Sequence, residues 1–166
     1  MTTALMRRLL TCLAGLVLAG LPLAVQAESP DPIGDMIATA LSPIDAPPDW
    51  RLRPTLYHAG ARGVGTRDSL GCRVSPMRTL AVDPALIPRH TILFIKETIG
   101  LTLPDGSLHD GYWYASDVGG AIKGARVDLF TGMDAASMRQ FFAHGLNAGL
   151  VSAVNAGSFT GCPPPT

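Results

Sequence analysis

Ser116-Asp117-Val118-Gly119-Gly120-Ala121-Ile122-Lys123-Gly124-Ala125-Arg126-Val127-Asp128-Leu129-Phe130 places two carboxylates, three glycines and one lysine between two short apolar runs. Tyr112-Trp113-Tyr114 leads into it with strand propensity, and Val127-Asp128-Leu129-Phe130 resumes a strand after it. Asp117 therefore falls where a strand gives way to a glycine-rich loop. Gly119-Gly120 lets backbone amides approach a ligand or a second strand with no Cβ in the way. Two readings stay open on the pattern alone: a binding or catalytic loop, or a corner whose aspartates bond loop amides. A phosphate-binding P-loop is excluded, because it needs lysine directly after its last glycine, whereas Lys123 precedes Gly124. A dinucleotide fingerprint is excluded because its glycines open a helix, and a strand follows here.

Working outward, further strand-like runs are Thr55–His58, Arg78–Asp83, Thr91–Glu97 and Leu150–Val154. Asp83-Pro84, Pro104-Asp105-Gly106 and Asp110-Gly111 read as turns. Six short strands at this spacing, with one or two helices outside them, favour a small closed β-barrel. Asp134 can cap a helix through Leu146, its stripe Met138, Phe141 and Phe142 facing the core and Gly149 stopping it. Ser42–Pro54, with four prolines, reads as an extended linker, and Asp31-Pro32 opens a short packing helix before it. Arg62, Arg67 and Asp68 sit in a glycine-rich loop after the first strand, on either a substrate or a solvated face.

The chain has 166 residues, no formal net charge and 47% hydrophobic residues, so it holds one compact domain and lacks the basic excess of a nucleic-acid binder. Residues 1–27 read as a signal peptide: Arg7-Arg8, an apolar run from Leu9 to Leu23, and Val25-Gln26-Ala27 as the cleavage site. This predicts export to the periplasm or beyond, with no membrane span after cleavage. Cys12 lies inside the discarded segment, which leaves Cys72 and Cys162 as an even pair and predicts a disulfide. His58, His90, His109 and His144 are scattered without metal-ligand spacing, and His109-Asp110 reads as a solvated turn. No metal site and no cofactor is expected, and no Gly-x-Ser-x-Gly elbow occurs. The organisation expected is residues 1–27 signal peptide, 28–54 helix and linker, 55–166 barrel domain.

Leu80-Ala81-Val82-Asp83-Pro84 with Ile87-Pro88, then Ala115 to Gly124, then Val127-Asp128-Leu129-Phe130, resembles the 3D domain named for its three aspartates. That domain forms the double-psi β-barrel of membrane-bound lytic transglycosylases. The resemblance implies a mainly β fold, a six-stranded double-psi β-barrel with one or two peripheral α-helices. It also implies an enzyme that cleaves peptidoglycan glycan strands between N-acetylmuramic acid and N-acetylglucosamine with 1,6-anhydro ring formation. Asp117 matches the catalytic acid/base of the family. Asp83 and Asp128 would tune it or fix the barrel loops, and Gly119, Gly120 and Lys123 would line the sugar site. For this role Asp117 must start protonated, its proton affinity raised by Asp83, Asp128 or the aromatic lead-in.

The family's full enzymes carry a second, larger domain that walls the glycan groove, and this sequence has only a short loop region between its first strands. An envelope protein partner supplying that wall is one expectation. A competing expectation is a non-catalytic peptidoglycan-binding or envelope-remodelling module on the same barrel, since fold does not fix function. A third is an assembly or inhibitor protein that uses the Gly60–Asp68 loop as an interface.

Overall fold

The computed structural model describes residues 43–164; the expected signal peptide and the expected first helix lie outside them. Six strands form a closed barrel in the order β1-β5-β2-β4-β3-β6. They are β1 (Trp50–His58), β2 (Thr79–Ala81), β3 (Thr91–Ile95), β4 (Tyr112–Asp117), β5 (Arg126–Gly132) and β6 (Val151–Ser158). β1 runs parallel to β5 and β2 parallel to β4, while the other neighbours are antiparallel. Two parallel pairs interleaved in one closed sheet give the double-psi arrangement, and closure leaves no free edge.

β1 starts at Trp50, so residues 50–54 belong to the barrel and not to the proline-rich linker that composition suggests. Pro54 is tolerated there for a specific reason. Arg53 donates its amide to Ala125 O on the β5 side, so position 54 faces β6. Pairing with β6 covers only Trp50–Leu52, so no donor is required at Pro54.

Alternate residues fill the barrel. Leu52, Leu80, Leu93, Ile95, Trp113, Ala115, Val127, Leu129, Val151 and Ala153 are buried in one core cluster. Each large aliphatic or aromatic side chain in it is worth about 1.5–3 kcal/mol of burial. The Trp113 indole N–H donates to Thr98 Oγ1 at 2.9 Å, and Thr98 in turn donates to Ile95 O at 2.7 Å, so the polar edge of the core is satisfied.

Two sequence expectations are corrected here. His109 is 1% exposed, not solvated. Its ring stacks on Trp113, Nε2 donates to Met77 O at 2.7 Å, and Nδ1 accepts from Gly111 N at 2.8 Å. Burial pushes its pKa down to about 4, so it is neutral. The helical segment after Asp134 is also shorter than its pattern suggests: a 3-10 turn (Ala135–Met138) and one α-helical stretch (Arg139–Ala143). Asp134 caps it as expected, accepting from Ala136 N and Ser137 N, but left-handed Gly145 ends it before Gly149. Phe141 alone of the stripe is fully buried, and Phe142 is 47% exposed.

Candidate functional site

Val127 and Leu129 point into the core, so Asp128 between them points out of the barrel wall. On β4 the alternation would send Asp117 inward with Ala115. A bulge prevents this: Leu80 pairs with Ala115 but Ala81 pairs with Asp117, leaving Ser116 as the extra residue. Ala81 also pairs with Asp128 across the other edge of β2. Thr55, Asp128, Ala81 and Asp117 therefore form one row across four adjacent strands. The two carboxylates flank the small Ala81 side chain with two strand spacings, about 10 Å, between their backbones.

Asp128, Ala81 and Asp117 of this row floor a cleft of about 370 Å³ that Tyr57, Gly63, Val64, Gly65, Arg67, Val74, Val118, Gly119 and Gly120 also line. Its far wall is the connection from β1 to β2. A short ladder shapes this wall: Arg67 bridges Arg73, Asp68 N donates to Cys72 O, and Val74 N donates to Thr66 O. Asp68 Oδ1 accepts from Leu70 N and Cys72 N, so this aspartate folds the loop. The Cys72–Cys162 disulfide ties the same loop to the segment after β6, as the cysteine count predicts.

Three donors converge on Asp117. Tyr57 Oη donates to Oδ2 at 2.9 Å, while Ser69 N at 3.0 Å and Val118 N at 2.9 Å donate to Oδ1. Burial first, and the Asp117 charge second, push the Tyr57 hydroxyl well above its ordinary value, so it remains a donor. Asp128 is raised above the ordinary carboxylate value, chiefly by burial and further by the charge of Asp117. Its Oδ1 is buried with no hydrogen-bond partner among the described residues.

The remaining expected residues lie elsewhere. Asp83 accepts from Gly124 N at 2.7 Å and Ala85 N at 3.1 Å, bonds that hold its carboxyl below the usual range. It ties the end of the glycine loop to the turn after β2 and does not line the cleft. Lys123 is exposed on the Asp83 side of that loop, also outside the cleft. Gly119 and Gly120 do line it, but Gly119 has an internal reason to lack a side chain: a Cβ there would stand 2.8 Å from Ile122 Cγ1. Arg67 reaches the cleft, whereas Asp68 is buried and Arg62 is exposed outside it. Tyr57 and Ser69 carry no sequence signal for their contacts with Asp117, which span 60 and 48 residues. Among the described residues no His/Cys/Asp/Glu group could hold a metal ion.

The family model of the 3D domain matches residues 78–143. Among solved structures, the lytic transglycosylase LtgG of Burkholderia pseudomallei is 28% identical over 54% of this chain and 27% of its own, with a TM-score of 0.35. MltA from Escherichia coli is 22% identical over 55% of this chain and 28% of its own, TM-score 0.36. A membrane-bound lytic murein transglycosylase from Agrobacterium tumefaciens is 26% identical over 54% of this chain and 24% of its own, TM-score 0.35. The chain thus spans about a quarter of the length of these proteins. No curated protein matches it. The stretch that matches the 3D-domain model, residues 78–143, holds Asp83, Asp117 and Asp128, and over that stretch the chain is similar to the 3D domain.

Proposed function

We propose that this protein cleaves peptidoglycan glycan strands in the cell envelope as a lytic transglycosylase, with Asp117 as acid/base. The observation that carries the reading is the row Asp128-Ala81-Asp117 on the floor of one open cleft. A protonated Asp117 donates to the oxygen linking N-acetylmuramic acid to N-acetylglucosamine, and the bond from that oxygen to the anomeric carbon breaks. The resulting carboxylate takes the proton of the muramyl C6 hydroxyl as its oxygen bonds to the anomeric carbon, closing the 1,6-anhydro ring. One carboxyl group gives and recovers one proton, and no water is consumed. Asp128 stands beyond Ala81 in the same row and gives the floor of the cleft a second carboxyl group, itself raised above the ordinary carboxylate value by burial. Gly119, Gly120 and Arg67 line the sugar path. Asp83 and Lys123 support the glycine loop from behind.

A second reading, a peptidoglycan-binding module without catalysis, is favoured by the two backbone amides on Asp117 Oδ1, the arrangement of a loop-stapling carboxylate. Purified murein incubated with the chain, wild type beside Asp117→Asn, separates the two by mass spectrometry. Products ending in 1,6-anhydromuramic acid with wild type alone are expected. Reducing-end products indicate hydrolysis and refute the transglycosylase reading. Murein retention without any product moves the protein to the binding class.

A further inference from the structure

The mechanism above treats the Asp117 carboxyl as one group, yet its two oxygens stand in different surroundings. Oδ1 accepts from Ser69 N and from Val118 N, which uses both of its lone pairs. Among the described residues Oδ2 accepts only from Tyr57 Oη, which leaves one lone pair free. The structure assigns Tyr57 as the positioning residue that turns Asp117 so that Oδ2 is the oxygen that carries and returns the catalytic proton; this rests on the acid/base reading of Asp117.

Tyr57 is suited to this by its own anchoring. It sits on β1, two residues beyond Thr55 in the carboxylate row, and its ring packs against buried Phe130 with centroids 5.1 Å apart. A ring held on a strand and against the barrel wall fixes the hydroxyl more firmly than a loop residue would. The Tyr57 hydroxyl stays protonated because burial and the nearby carboxylate both oppose its ionisation. It therefore orients Asp117 without competing as a base. The other two donors come from the Ser69 loop and from the residue directly after Asp117, and they hold Oδ1 while Tyr57 holds Oδ2. Losing the hydroxyl leaves the two amide bonds on Oδ1 in place and removes the one bond that sets the direction of Oδ2, so the carboxyl can tilt about the Oδ1 anchor.

Tyr57→Phe keeps the ring and its contact with Phe130 and deletes only the hydroxyl. With purified murein as substrate, the full chain carrying Tyr57→Phe is expected to keep its KM and lose about 10–100-fold in kcat. The carboxyl carbon resonance of Asp117, followed by NMR at fixed pH without substrate, is expected to move between wild type and variant. An unmoved resonance overturns the inference, as does an unchanged kcat in a cleaving wild type. If wild type yields no cleavage product, the acid/base reading fails by itself, and the resonance alone decides whether Tyr57 orients the carboxyl. A lowered melting temperature in Tyr57→Phe together with a raised KM would mark a merely structural role and also overturn it.

Discussion

Replacing Cys72 and Cys162 together by serine tests how the wall of the cleft is held. The bond joins residues 90 apart in sequence and connects the β1–β2 loop to the segment after β6. A loop of this length costs the unfolded chain roughly 4–5 kcal/mol of closure entropy that the oxidised protein has already lost. Domains of this size are stable by about 5–15 kcal/mol, so the bond accounts for roughly a quarter or more of the total. The double variant is expected to melt about 10–20 °C below wild type. Urea unfolding should show a lower midpoint. The loop has a local part in this: Cys72 N and Leu70 N share Asp68 Oδ1, and Ser69, which follows Asp68, donates to Asp117. The proposed murein cleavage should therefore weaken at temperatures where the variant is still folded. A melting temperature within about 3 °C of wild type would refute the reasoning, because the closure entropy would then be absent or offset by strain.

Asp128→Asn is expected to raise the melting temperature near neutral pH, because the folded protein raises the Asp128 pKa above its ordinary 3.8. A raised carboxyl favours folding below 3.8, and that contribution is lost as pH rises through the folded value, so the gain from asparagine should vanish at about pH 3. A pH-independent difference between the two proteins in thermal melts would refute this. His109→Leu strands Met77 O and Gly111 N in the core, at a cost of roughly 2–4 kcal/mol in urea unfolding. Wild type should lose stability as pH falls from 6.5 through about 4, where the buried imidazole must charge, and the leucine variant should lack that slope.

Local chemistry made much of the fold legible. Each of the six strands carries at least one β-branched or aromatic residue, and Asp134 announces its cap. Local pattern misleads where distant residues override it. Pro54 is a linker signal unless the partner strand is known to end at Leu52. His109 looks solvated in a turn until Trp113 and Met77 O close over it. At the site, the Gly119-Gly120 loop and both cleft aspartates stand out in the chain, but the division of labour among the three aspartates does not. Asp83 sits in the same motif as Asp117 yet spends both oxygens on backbone amides.

By itself the sequence determined the strand count, the barrel class, the cysteine pair and the loop that bears Asp117, because these follow from side-chain periodicity, parity and glycine chemistry over a few residues. Only the tertiary structure decided that Asp117 faces outward beside Asp128, and that Tyr57 and Ser69 hold it. The outward turn depends on one extra residue, Ser116, in the pairing of β4 with β2, and a one-residue slip in register moves a side chain to the opposite face of the sheet. That register comes from barrel closure among strands far apart in the chain.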